Sequence, residues 1–250
     1  MEQHSPMMVM CHASLALDIK PKTPIGLGMS KGMKIFIVEC VDPMDLIQGR
    51  SEASALEKVC TSIGHEAITL TAYSKDDFEK YCGYISSIDS NHDRNENSDT
   101  PLCIHIATHG NKRGIAFGRD FIRWNSLFES MLPVFTKMSR YRGKVFLSIS
   151  ACEAGYQELA SEIESEWTKN SRVNPPEYIF VTAEEGGVAW DDALVAWTVF
   201  YHKLSRSNNI TRVRVKKIIN QVKDLIGTDI EYFRWSVERD KYLHYCSEGD

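Results

Sequence analysis

The sequence lacks the features that mark several common classes of protein. Its 34 Asp and Glu outnumber its 29 Lys and Arg, so the sequence has no excess of basic residues that would attract nucleic acid or an anionic membrane. No apolar run approaches the roughly 20 residues of a membrane span. The apolar run at 34–41 is followed by neither G-x-G-x-x-G nor a phosphate-binding loop, which argues against a nucleotide-binding regulatory domain. We therefore expect neither a nucleic acid nor a membrane as partner.

The seven cysteines also lack a pattern. Their number is odd, their spacing is scattered and no C-x-x-C pair occurs, so the sequence predicts neither a disulfide framework nor a zinc site. Most of them are expected to pack as small apolar side chains. Cys152 differs, because it comes where a strand ends.

The N-terminal segment stands apart from the rest of the chain. It begins "MEQHSPMMVM", with an acidic residue where a secretory signal carries basic ones, and His12 interrupts its apolar stretch. We expect residues 1–32 to be a flexible extension and 33–250 to be a single domain. The predicted location is cytoplasmic.

Strand-like and helix-like segments alternate along the chain. Near-continuous apolar runs predict strands at 34–41, 66–73, 102–110, 144–150 and 178–183, with a last strand at 231–237. Helical spacing of apolar residues predicts helices at 51–64, 75–88, 125–138, 156–169, 191–204 and 212–226, and 114–124 predicts a hairpin. Strands that are apolar on both faces need cover on both sides. The sequence therefore predicts an α/β fold, a three-layer sandwich with a mostly parallel central sheet.

Two of these strands carry reactive side chains at their ends. The run "LCIHIATHG" ends on His109 and Gly110, and "VFLSISAC" ends on Cys152. Active sites of open α/β sheets form outside the carboxyl ends of the strands, so the imidazole and the thiol are expected at one edge. His109 would activate the thiol of Cys152. The N–H groups of Gly110 and Cys152 would together form an oxyanion hole.

The remaining histidines have no such position. His105 lies within a strand, and we predict that it is structural. His65, His202 and His244 do not follow a strand end, and no role is predicted for them.

The two motifs resemble a known family. "HIATHGNKRGIAFG" followed by "VFLSISACEAG" resembles the caspase-like (clan CD) cysteine peptidases, in which one strand ends in His-Gly and the next core strand in a small residue and the nucleophilic Cys. Cys152 follows His109 by 43 positions, against about 50 in caspases. The stretch "EEGGVAWDDALVAWTVFYHKL" is similar to a bacterial-type subgroup.

This resemblance implies a function. It implies a caspase-haemoglobinase-like fold and a cysteine endopeptidase that acts on protein substrates through a His109–Cys152 dyad, with neither a metal nor an organic cofactor. It also implies a regulated or defence-associated effector with a regulatory protein partner. Ser150 stands where caspases carry Gln and metacaspases Asp, two residues before the nucleophile. A catalytically silent scaffold for protein–protein interaction is therefore the alternative.

The residues around the thiol also suggest a substrate preference. Ser150, Glu184, Asp191 and Asp192 fall near the carboxyl ends of the fourth and fifth strands, without a comparably placed Arg or Lys. An anionic pocket favours a basic P1 side chain and repels Asp. We expect basic P1 residues first, small apolar ones next and Asp last. The polar loop 168–177 is a predicted site of self-cleavage, after Lys169 or Arg172.

Overall fold

The computed structural model describes residues 32–88, 98–154, 158–169, 172–183, 187–207 and 210–246. The strands are β1 Lys34–Glu39, β2 Glu66–Thr71, β3 Leu102–Ala107, β4 Gly110–Asn111, β5 Gly114–Phe117, β6 Asp120–Arg123, β7 Val145–Ser150, β8 Tyr178–Thr182, β9 Ile230–Ser236 and β10 Lys241–Tyr245. The helices are α1 Pro43–Ile47, α2 Glu52–Ser62, α3 Lys75–Ile85, α4 Trp124–Lys137, α5 Glu158–Lys169, α6 Trp190–Ser205 and α7 Arg212–Ile226. All but the last residue of the predicted extension lies outside these ranges. The division into extension and single domain stays a prediction.

A seven-stranded sheet forms the centre of the fold. Its order is β10-β9-β8-β7-β3-β1-β2, and the pairs from β2 to β8 are all parallel. β9 runs antiparallel to β8, and β10 antiparallel to β9. The predicted α/β class and mostly parallel sheet are confirmed.

The short elements α1 and β10 are among those that the sequence did not predict. α1 has only five residues, with Pro43 in its first turn and the Asp42 side chain accepting a hydrogen bond from the backbone N–H of Met44. β10 follows a charged turn at 237–240 and pairs only with β9. Neither element is long enough to show a clear hydrophobic period in the sequence, so each can be identified only from its contacts with neighbouring elements.

Two apolar layers cover the sheet. Successive side chains of a strand point to opposite faces. In β1, Phe36 and Val38 pack into one buried cluster with residues of α3, α4 and α5. Ile35 and Ile37 pack into the other, with residues of α2, α6 and α7. Helices on both faces produce the predicted three layers, and all six residues of β3 and of β7 are buried.

A small three-stranded sheet, β4-β5-β6, follows the end of β3. Its last two strands are the predicted hairpin, which is confirmed. The backbone N–H of Ala116 in β5 donates to the carbonyl of His109 at 2.8 Å. This bond anchors the backbone of His109 just beyond the main sheet.

No helix among the described residues is both long and apolar enough to cross a membrane.

Candidate active site

Strand register brings the two predicted catalytic residues to the same level. β3 and β7 are parallel neighbours, and their last residues, Ala107 and Ser150, are direct partners. His109 and Cys152 each lie two positions beyond these ends. The backbone N–H of Thr108 donates to the carbonyl of Ser150 at 3.0 Å, which carries the pairing one step past the strands. The two side chains therefore stand at adjacent strand ends.

A cavity of about 270 Å³ opens at this edge of the sheet. Both His109 and Cys152 line it. Ser150 lines it as well, as do the carboxylate side chains of Glu39 and Glu52. The thiol and the imidazole thus face one space of a size suited to a substrate side chain and the adjoining peptide.

The imidazole of His109 is accessible and has a carboxylate near it. Its side chain is 73% exposed, and its Nε2 atom lies 3.9 Å from Oδ2 of Asp45. Asp45 is itself 3.5 Å from the guanidinium of Arg50. Asp45 belongs to α1, the short helix that the sequence did not predict. A carboxylate at this distance can orient the imidazole ring.

The backbone at Cys152 makes a sharp turn that is fixed on one side. The hydroxyl of Thr182, the last residue of β8, donates to the carbonyl of Ala151 at 2.6 Å and accepts from its N–H at 3.2 Å. Glu153, which directly follows Cys152, has a φ of 53°. Left-handed backbone in a residue with a side chain costs energy and is concentrated at functional sites. Cys152 lies in this turn and is half-exposed.

Two glycines leave room beside the thiol. A Cβ atom on Gly187, whose φ is +97°, would lie 3.2 Å from Sγ of Cys152. A Cβ atom on Gly110 would lie 2.9 Å from the Ala151 side chain and 3.2 Å from the carbonyl oxygen of Cys152. The backbone of Gly110 therefore runs directly against that of Cys152.

Two buried carboxylates form the inner part of the cavity. Glu39 accepts hydrogen bonds from the Ser51 hydroxyl at 2.7 Å and the Ala53 backbone at 2.9 Å. Glu52 accepts from the Ser150 hydroxyl at 2.8 Å. Burial raises the pKa of Glu39, because its charged form loses hydration, and the hydrogen bonds from Ala53 and Ser51 oppose this. Three carboxylate residues, Glu39, Asp45 and Glu52, line the cavity. Arg50 is the only basic residue of the Lys or Arg type among its described lining residues.

A polar chain in the core holds Glu52. His105 Nε2 lies 2.8 Å from Glu52 Oε1, and His105 Nδ1 lies 3.0 Å from the hydroxyl of Tyr201. The Tyr201 hydroxyl also donates to Ser148 at 3.0 Å. These groups are buried. His105 thus supports the cavity from behind, in agreement with the structural role predicted for it.

The predicted pocket residues are not all at the cavity. Ser150 lines it. Asp191 and Asp192 are exposed in the first turn of α6 and are not among its lining residues, although the neighbouring Trp190 is. Glu184 lies outside the described residues.

The sequence alone did not indicate the carboxylates that line the cavity. Glu39 could have been found, because it is the last residue of "KIFIVE", a strand whose end belongs to the same edge. Asp45 and Glu52 carried no comparable signal. Glu52 reaches Ser150 from 98 positions away along the chain.

Most other described thiols are shielded from solvent. Cys103 shares the Tyr201 hydroxyl with His105, at 3.4 Å, but it is fully buried. Burial raises the pKa of Cys103 to about 11 and those of Cys60 and Cys82 to about 12, and it also raises the pKa of Cys40. Among the described cysteines, only Cys152 and Cys246 are not buried.

The sheet order and the helices on both faces describe a three-layer α/β fold, which was compared with known proteins. No family model and no curated protein matches the sequence. Among solved structures, caspase-1 from Spodoptera frugiperda is similar with a TM-score of 0.49 and 16% identity, over 78% of this chain and 79% of that one. A secreted C11 cysteine protease from Bacteroides thetaiotaomicron is similar with a TM-score of 0.46 and 8% identity, over 82% of this chain and 67% of that one.

Proposed function

We propose that the protein is a cysteine endopeptidase with a His109–Cys152 dyad. The observation that carries this proposal is the register of β3 and β7. The last residues of the two strands are partners, His109 and Cys152 each follow their strand by two positions, and both residues line one cavity. Cys103 and His105 are a poorer pair, because a buried thiol with a pKa of about 11 is neither ionised nor accessible near neutral pH.

The reaction follows from these positions. His109 takes the thiol proton, and the sulfur of Cys152 attacks the carbonyl carbon of the scissile peptide. The N–H groups of Gly110 and Cys152 donate to the oxyanion. When the C–N bond breaks, His109 returns the proton to the leaving amine, and a thioester remains on Cys152. Water, deprotonated by His109, then hydrolyses the thioester and restores the thiol.

The charge of the cavity supports the predicted preference for basic P1 residues. The carboxyl groups of Glu39 and Glu52 lie at its inner part, and a bound cation would favour the charged form of Glu39 against the burial that raises its pKa. Arginine can bind a carboxylate with two parallel hydrogen bonds. A P1 Asp would instead face like charge. We infer that Glu39 and Glu52, rather than the predicted Asp191 and Asp192, supply the preference for a basic P1 side chain.

A matched series of fluorogenic peptides that differ only at P1 tests both parts of the proposal. Cys152→Ala and His109→Ala should abolish cleavage with an unchanged circular dichroism spectrum. Glu52→Gln should lower kcat/KM for a P1 Arg peptide about 30-fold or more, because removing one partner of a buried charge pair costs about 2 kcal/mol or more. Asp191→Asn is the control and should leave the P1 preference unchanged, since its side chain is exposed away from the cavity.

The results separate the alternatives. Cleavage that survives Cys152→Ala would refute the dyad. No cleavage of any peptide by the wild type would favour the interaction scaffold. Efficient cleavage after Asp, or an effect of Asp191→Asn as large as that of Glu52→Gln, would refute the specificity assignment. Chelators should leave peptide cleavage unchanged, because the proposed reaction uses no metal. The proposal includes protein substrates in the cytoplasm and a regulatory protein partner.

A further inference from the structure

Three potential metal ligands meet on the hairpin formed by β9 and β10. The side chains of Glu231, His244 and Cys246 each offer one ligand atom, and these atoms all lie within 4.8 Å of one another. His244 Nε2 is 2.6 Å from Glu231 Oε2 and 3.7 Å from Cys246 Sγ. The sequence analysis gave His244 no role and predicted no zinc site.

The strand register explains why these side chains share a face. His244 pairs with Phe233 and Tyr245 with Tyr232, so Cys246 falls opposite Glu231. Residues directly opposite, and those two positions apart on one strand, point to the same side. The ring of Phe233 stacks on the imidazole of His244 at 4.4 Å between centroids and 8° between planes. This stacking fixes the orientation of the imidazole ring whose nitrogen would bind a metal.

We propose that Glu231, His244 and Cys246 form a binding site for a divalent metal ion of the zinc type. Imidazole nitrogen, thiolate sulfur and carboxylate oxygen are the donor atoms that zinc takes in proteins. In a tetrahedral site with ordinary bond lengths, sulfur and nitrogen are about 3.6 Å apart, close to the 3.7 Å between Cys246 and His244. The oxygen and nitrogen must separate from 2.6 Å to about 3.3 Å, as the hydrogen bond between Glu231 and His244 is replaced by two metal bonds.

The donor set decides which ion is favoured. A thiolate and an imidazole select zinc-type ions over magnesium or calcium, which prefer oxygen ligands. Three protein ligands leave the fourth tetrahedral position to water. Binding displaces the thiol proton of Cys246.

The site is separate from the proposed dyad. β9 is two strands from β7, which corresponds to about 10 Å across the sheet. Glu231 and His244 are partly exposed and Cys246 is exposed, so a metal ion reaches them from solution. The proposal therefore does not depend on peptidase activity.

Cobalt(II) is a suitable probe, because a bound thiolate gives a charge-transfer band in the near ultraviolet. The parent protein for the experiment is Cys152→Ala, which removes the thiol beside His109 as a competing ligand. We expect one equivalent of Co²⁺ to produce the band and one equivalent of Zn²⁺ to abolish it. Cys246→Ser should abolish the band. His244→Gln and Glu231→Gln should each weaken Co²⁺ binding at least tenfold.

Asp240→Asn is the matched control on the same hairpin. Asp240 is exposed and outside the cluster, and Asn tolerates its left-handed backbone of φ 48°. This variant should bind Co²⁺ as the parent does. A band that persists in Cys246→Ser, a band that is absent from the parent, or equal weakening by Asp240→Asn would overturn the proposal. Isothermal calorimetry with Zn²⁺ on the same variants gives a second readout, and equal affinities for the parent and His244→Gln would also overturn it.

Discussion

Substitution of Gly187 by Ala gives a direct test of whether the thiol of Cys152 performs the chemistry. The new methyl carbon would lie 3.2 Å from Sγ of Cys152 and 3.8 Å from its Cβ. Because the first distance is shorter than an ordinary van der Waals contact, the thiol must move by a few tenths of an ångström or the loop must shift. A misplacement of about 1 Å at a reacting centre costs about 100-fold in rate. We expect Gly187→Ala to lower kcat about tenfold or more.

The same substitution also has a cost in stability, which has to be separated from the effect on the thiol. Gly187 has φ +97°, and a left-handed backbone costs a residue with a Cβ atom about 1–2 kcal/mol. In a domain of this size that lowers Tm by about 2–8 °C. Gly143 is a matched control, because its φ is +67° and a Cβ atom there would meet nothing within 4 Å. Gly143→Ala should show a similar loss of Tm without the loss of kcat.

Thermal unfolding and steady-state kinetics on the two variants therefore separate the backbone cost from the effect on the thiol. The expected pattern is two comparable decreases in Tm and one decrease in kcat. If Gly187→Ala cleaves a P1 Arg peptide as fast as Gly143→Ala does, a methyl group against the sulfur is harmless. That result would refute the placement of Cys152 as the nucleophile.

Three further predictions concern other parts of the molecule. Iodoacetamide at neutral pH should label Cys152 faster than the buried Cys40 and Cys103, whose pKa values are raised by burial; faster labelling of either, read by mass spectrometry, would contradict this. Burial raises the pKa of Glu177 from 4.5 to about 7, so its contribution to stability is fully present below pH 4.5 and is lost as pH rises through 7. The wild type should therefore lose about 3 kcal/mol more unfolding free energy between pH 4 and pH 8 than Glu177→Gln does, as measured by urea titrations. An unchanged pH dependence in the variant would show that the carboxyl ionises normally. Intact-mass analysis should show self-cleavage after Lys169 or Arg172, both exposed, in the wild type and not in Cys152→Ala; identical single masses would contradict it.

The local pattern of the sequence was enough to identify the two strands that carry His109 and Cys152, the proposed dyad, beyond their ends. The apolar runs that became β3 and β7 are long enough to be predicted as strands, and β7 ends at Ser150 as predicted, whereas β3 ends at Ala107, three residues before the predicted end. Because the carboxyl ends of parallel strands meet at one edge, the prediction that His109 and Cys152 share that edge needed no tertiary information. The antiparallel direction of β9 and the existence of β10 carried no such signal, since each depends on pairing with a neighbouring strand.

Only the tertiary structure decided which charges surround the thiol. Asp191 and Asp192 follow the fifth strand in sequence, yet the first turn of α6 carries them to an exposed position away from the cavity. Glu52 comes from the start of a helix on another part of the chain and reaches Ser150 across 98 positions. The physical reason is that periodicity reports which face of an element is buried, whereas contact between distant side chains depends on how the elements pack. The same limit concealed the cluster around His244, whose ligands come together only when β9 and β10 pair.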